Sequence, residues 1–148
     1  MTFQELENTL RSAPSARVGV GATESEIGRA ESELGTRITG DYRAFLAAFG
    51  WLEWEGKEVY GLGSDVPFHL NLVEITVSER GAMQPPLPHN LLPLMNDGAG
   101  NLSCLDTGSP RQEVVFWDHE DSTAQRPQVE AGTFLEWLVE KLELNPDR

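Results

Sequence analysis

Residues 93–106, PLMNDGAGNLSCLD, constrain the fold of this chain more than any other stretch. Apolar runs at 91–95 and 102–105 flank the segment Asn96-Asp97-Gly98-Ala99-Gly100-Asn101, made of residue types that accept a left-handed backbone or close side-chain turns. A hairpin follows from that pattern. Loops carry function more often than strands, and this one gathers Asn96, Asp97 and Asn101 with Asp106 close behind. The cluster is either chemistry or a turn that satisfies its own backbone, and the second is the expectation because backbone groups in a tight turn need partners.

Before this hairpin the chain reads as helical. Thr2 with Glu5 and Thr23 with Glu26 have the spacing of capping boxes. Phe3, Leu6 and Leu10 follow the first at helical spacing, and Ile27, Ala30 and Leu34 follow the second, with Gly35 placed to end the helix. Between them, 12–22 is a loop or extended connector. Tyr42, Phe45, Leu46 and Phe49 fall at i, i+3, i+4 and i+7 before Gly50, a helix whose aromatic stripe is a core face. Residues 51–60, WLEWEGKEVY, carry aromatic and β-branched residues on both sides of Glu55-Gly56 and predict a second hairpin. Residues 61–68 are loop, Asn71 and Glu74 are placed to cap a segment running to Arg80, and 84–89, with three prolines, is a connector. The β-branched content of 72–80 leaves helix and strand nearly balanced, with helix favoured by the cap.

After the central hairpin, 107–111 break the chain and Val114 to Trp117 form a buried strand whose polar end emerges at Asp118. Residues 121–128 are loop. Thr133 with Glu136 opens a last helix bearing Phe134, Leu135, Leu138, Val139 and Leu142, stopped by Asn145-Pro146. The order of elements, without a repeated βα unit, predicts an α+β fold, and 148 residues suit one domain.

Charge narrows the function. With 24 acidic against 11 basic residues and a formal net charge of -13, the surface repels phosphate backbones, so direct nucleic-acid binding is not expected and a basic protein partner is. One cysteine, Cys104, excludes an intramolecular disulfide and suits a reducing compartment. The first residues, MTFQELENTL, lack the basic and apolar regions of a signal peptide, and no apolar run is long enough for a membrane span. The expectation is a soluble cytoplasmic protein.

No catalytic motif stands out. Cys104 and His119 are the one cysteine–histidine pairing near the hairpin, but Cys104 shares one face of an alternating strand with Leu102, the setting of an inert buried thiol. Asp118, His119, Glu120 and Asp121 offer metal donors in a row, yet neighbours on a strand point to opposite faces. His69 and His89 lie in loop surroundings without ligand spacing, and the glycine turn lacks the lysine and following helix of a phosphate loop. The reading is therefore no catalytic residue, no cofactor and no structural metal. In 51–60, Glu53, Glu55 and Glu58 alternate with apolar residues beside Trp54, a composition found at binding surfaces and equally on solvated edge hairpins.

These pieces, in this order, resemble the SMI1/KNR4 (SUKH) superfamily. Glu31, Leu34 and Gly35 match its E-x-x-L-G helix end, and Ile38, Asp41, Tyr42, Phe45, Leu46 and Gly50 match its L-P-x-D-Y-x-x-F-L helix and closing glycine. Gly98, Gly100, Asn101 and Asp106 fit its central G-G-N-x-x-x-x-D turn; Val114, Asp118, His119 and Glu120 its V-x-x-x-x-H-E-like strand; Phe134, Trp137 and Leu138 its terminal helix. The match covers residues 23–142, with an N-terminal helix and connector before it. Thr39 stands where proline is usual and Phe49 where asparagine is common. The resemblance implies an α+β fold with a mixed, mostly antiparallel sheet packed by helices. It implies a non-catalytic, bacterial immunity protein that binds and neutralises a cognate toxin, often a nuclease. The alternative it leaves is an intracellular regulatory or scaffold domain. Glu53, Trp54, Glu55, Glu58, Asp65, Asp118, Glu120 and Asp121 are the partner-binding candidates.

Overall fold

The computed structural model describes residues 1–118 and 127–144. Helix α1 spans Phe3–Ser12, the short strand β1 Arg17–Val18, α2 Glu24–Leu34 and α3 Gly40–Ala48. Strands β2 (Leu52–Trp54) and β3 (Lys57–Val59) follow, then a 3-10 turn at Phe68–Leu70 and α4 at Leu72–Gly81. Strands β4 (Leu91–Asn96), β5 (Leu102–Asp106), β6 (Val114–Trp117) and β7 (Gln128–Ala131) precede α5 at Phe134–Lys141. The architecture is α+β, as the element order predicts. None of the helices among the described residues is long and apolar enough to cross a membrane.

The caps act as their spacing predicts. Thr2 and Thr23 each accept the amide of the glutamate three residues on, and each glutamate side chain accepts in return from the cap amide. The Thr2 amide and hydroxyl also hold the Glu5 carboxyl below its ordinary range. Gly35 ends α2 at φ 68. Asn71 Oδ1 accepts from the amides of Val73 and Glu74, and this local start commits the β-branched segment 72–81 to helix. Thr39 makes no side-chain cap on α3. Instead its amide donates to Gln112 Oε1 at 2.9 Å, while Gln112 Nε2 donates to the Arg37 carbonyl at 2.9 Å. The departure at Thr39 is thus supported across the fold by a buried glutamine.

Two antiparallel sheets result, one ordered β1-β2-β3 and the other β4-β5-β6-β7. The parallel component, among the described residues, is one isolated bridge between Gly61 and Asn71. The sheets meet where the Tyr60 amide donates to the Leu94 carbonyl at 2.9 Å. Beside this seam Leu62 donates to the Gly50 carbonyl at 2.9 Å, and a Cβ on Gly61 would lie 1.5 Å from that same oxygen. Only glycine permits that approach.

The main core packs α1, α2, α3 and α5 against one face of each sheet, with Leu52 and Val59 from one and Leu92, Leu94, Leu105 and Val114 from the other. Phe134 is its aromatic hub, with ring centroids 5.0 Å from Tyr42, 5.2 Å from Phe45 and 5.6 Å from Trp137. Leu91, Leu102, Cys104, Val115 and Trp117 form a second cluster with Leu87 on the opposite face of the larger sheet. Burial on both faces explains why 91–95 and 102–105 read as continuous apolar runs.

Residues on which the resemblance rests have structural tasks. Glu31 Oε2 accepts the Ile38 amide at 2.8 Å and Arg43 Nη1 at 3.3 Å, tying α2 to α3. The Tyr42 hydroxyl, fully buried, donates to the Tyr60 carbonyl at 2.7 Å. Two strands are absent from the sequence reading: β1 lies in the connector 12–22, and β7 begins at Gln128, where 121–128 read as loop. Both are edge strands held by backbone pairing, and Q-V-E-A shows exposed or half-buried side chains in place of an apolar face.

Candidate functional site

The hairpin β2-β3 turns through Glu55 at φ 55 and Gly56 at φ 77, two successive left-handed residues that fit the twist of a two-residue hairpin. Its register pairs Leu52 with Val59, Glu53 with Glu58 and Trp54 with Lys57. Alternation sends Leu52 and Val59 into the main core and leaves Glu53 and Glu58 side by side on the other face. On that face Trp51 and Tyr60 pack with Leu70, half-buried Val66 and Ile75 closing over them. Glu53 and Glu58 lie half-buried beside this cluster, where His69 of the covering segment reaches them.

An open depression of about 440 Å³ follows the hairpin, lined by Ser15, Arg17, Glu53, Trp54, Glu55 and Glu58. Four of the sequence-predicted residues therefore share one surface. Their situations differ. The Trp54 ring packs against the main core while its indole N–H donates to Ser15 Oγ at 2.8 Å. Glu53 Oε1 pairs with Arg17 Nη1 at 2.6 Å, and the Arg17 guanidinium lies 5.9 Å from the Trp51 ring centroid. Glu55 is exposed at the turn. Glu58 Oε2 is 3.0 Å from His69 Nε2, which is also 3.9 Å from Glu53 Oε2. Burial, with the Glu58 charge adding to it, pushes the Tyr60 hydroxyl up to about 12.

Asp65 serves the loop that carries it. Oδ1 accepts the Trp51 indole N–H and Oδ2 the Val20 amide, each at 3.1 Å. Asp118 is half-buried just beyond β6, in the larger sheet, and is not among the residues lining the depression. Glu120 and Asp121, with His119, lie outside the described residues.

The central turn is arranged differently. Asn96 Oδ1 accepts from the amides of Gly98 and Gly100, while Asp97 Oδ1 accepts from those of Ala99 and Asn101. Asp97 Oδ2 takes Asn101 Nδ2 at 3.1 Å. Gly98 and Gly100 adopt φ 91 and 93. Asp106 Oδ1 accepts Asn90 Nδ2 at 3.0 Å and the Gly108 amide at 2.9 Å. Each carboxylate is spent on the turn it sits in. Cys104 is fully buried, and burial pushes its thiol up, away from the thiolate a nucleophile requires.

Ser15, Arg17 and His69 escaped the sequence reading as parts of this surface. Nothing in their spacing reveals them, because Arg17 reaches Glu53 through β1-β2 pairing and His69 arrives on the 3-10 turn.

Comparison with known proteins gives two findings. A family model described as SMI1-KNR4 cell-wall, of the SUKH group, matches residues 2–143. The SPbeta prophage-derived uncharacterized protein YokK of Bacillus subtilis (strain 168) is 25% identical over 155 residues, an alignment covering 81% of this chain and 75% of that protein.

Proposed function

The chain belongs to the SMI1-KNR4 family of the SUKH group, and on that premise we propose that it is a non-catalytic immunity protein that occludes a basic toxin domain, of nuclease type, through the acidic face of β2-β3. The observation that carries the proposal is the direct cross-strand opposition of Glu53 and Glu58, with Glu55 at the tip, along an open depression. Like charges directly opposite each other cost stability, and Arg17 and His69 each engage one of the pair only through exposed contacts that a partner's cation can replace. A cationic side chain from a partner relieves that repulsion, and the overall charge of -13 steers such a partner in. The buried thiol of Cys104 and the turn-bound carboxylates of Asp97 and Asp106 support a binding role over a hydrolytic one. Cytoplasmic placement is part of the same proposal.

The test is association with a candidate toxin domain, sought among the products of the neighbouring genes, followed across ionic strength. A stoichiometric complex is expected, its association rate falling about tenfold or more between low and physiological salt. The Glu53→Lys/Glu58→Lys double variant should slow association further. A salt-independent rate unaffected by the charge reversal removes this face from the proposal. Absence of any complex, and of protection on co-expression, favours a regulatory or scaffold domain.

A further inference from the structure

We propose that Glu53, Glu58 and His69 form a binding site for one divalent transition-metal ion of the zinc type. The site shares Glu53 and Glu58 with the proposed toxin-binding face but does not rest on that reading, because all its donors belong to this chain. No metal spacing is visible along the sequence. Strand register sets Glu53 opposite Glu58, and the turn Phe68–Leu70 brings in His69.

The geometry is close to what such an ion needs. Each residue offers one donor atom, and the three atoms lie within 4.8 Å of one another. His69 Nε2 stands 3.0 Å from Glu58 Oε2 and 3.9 Å from Glu53 Oε2. Around a tetrahedral zinc with bonds of about 2.0–2.1 Å, neighbouring donors are separated by roughly 3.3 Å, a value the two histidine–carboxylate distances bracket.

Donor chemistry selects the ion. One imidazole with two carboxylates suits zinc and its first-row neighbours, whereas calcium takes six to eight oxygens and magnesium keeps several waters in a strict octahedron. Charge is consistent as well. Arg17 engages Glu53 through Oε1 and leaves Oε2 towards His69, so the cluster keeps a net negative charge for the cation. A bound ion also converts the Glu53–Glu58 repulsion into shared coordination. Exposure of 41% at Glu58 and 61% at His69 leaves the remaining coordination positions to solvent.

The full chain should be titrated with Zn²⁺ by calorimetry and with Co²⁺ by visible absorption, in a buffer that does not chelate. One saturable site is expected, with Co²⁺ giving the intense bands of four- or five-coordination. His69→Gln and Glu58→Gln should each weaken binding at least about tenfold, and the control His89→Gln should leave it unchanged. All three residues are surface groups, and a Zn²⁺-dependent rise in melting temperature, present in the parent and lost in His69→Gln, reads the site without relying on the affinity alone. Absence of saturable binding up to about 1 mM Zn²⁺, or binding that survives both substitutions, overturns the proposal.

Discussion

The two hairpins of this protein use acidic side chains in opposite ways. In 91–106, Asp97 and Asp106 point back into their own turns and accept main-chain amides. In 52–59, Glu53 and Glu58 face each other and engage the side chains of Arg17 and His69, while the turn between them is made by backbone conformation at Glu55 and Gly56. The difference teaches that acidity in a loop is not a functional sign by itself. What distinguishes the Glu53–Glu58 pair is that its oxygens meet exposed side chains, Arg17 and His69, and not the main-chain amides of their own turn.

The contrast requires that the acidic hairpin be seated as firmly as the central one, and the severest way to break it is at the seam. Gly61→Ala places a methyl 1.5 Å from the Gly50 carbonyl oxygen, where no flexible side chain can give way. A loss on the order of 3–5 kcal/mol in urea denaturation is expected. A loss under about 1 kcal/mol shows that the hairpin sits loosely and that its open face follows from mobility, not from register.

A crossed pair of variants sharpens the comparison. Asp97→Ala strips the acceptors of two amides and one side-chain amide from the exposed central turn, and should cost about 0.5–1.5 kcal/mol while leaving partner association intact. Glu53→Gln/Glu58→Gln should change stability by no more than about 0.5 kcal/mol and slow association. The reverse assignment, with stability lost at 53 and 58 and association lost at 97, reverses the distinction.

The smallest effect concerns pH. Both tyrosines, Tyr42 and Tyr60, are buried, and burial raises both hydroxyls, Tyr60 to about 12 and Tyr42 further. A group whose pKa is raised in the fold contributes stability that is fully present below its unfolded pKa. Here that stability holds below about pH 10 and is lost as pH rises towards 12. Tyrosinate absorbance should therefore appear well above pH 10 in the native chain and near 10 in urea. Glu58→Gln, removing the charge that adds to burial at Tyr60, should shift the first native step slightly downward. An unshifted step means that Glu58 is already neutralised and is not open.

Much of this was legible because it is local. Capping boxes at Thr2 and Thr23, the Asn71 cap, Gly35, and the glycines at 56, 98 and 100 fix their conformations from a few adjacent residues. Alternation likewise placed Cys104 in a buried sheet. What stayed hidden depends on residues far apart in the chain. Gln112 supports α3 from more than seventy residues away, and β1 and β7 exist because a neighbour offers unpaired backbone. His69 approaches Glu58 only after the loop between them folds back. Asp65 looked free because its acidity was visible and its bonds to Trp51 and Val20 were not.

The alternation of β2-β3 also bears on how such a protein changes over time. Leu52 and Val59 anchor the hairpin from beneath, and the turn is held by Glu55 and Gly56 backbone geometry. The outward positions 53 and 58 are therefore free to be rewritten by mutation without disturbing the inward ones. A lineage can exchange the side chains at 53 and 58 one at a time while the inward positions stay under a separate, slower selection.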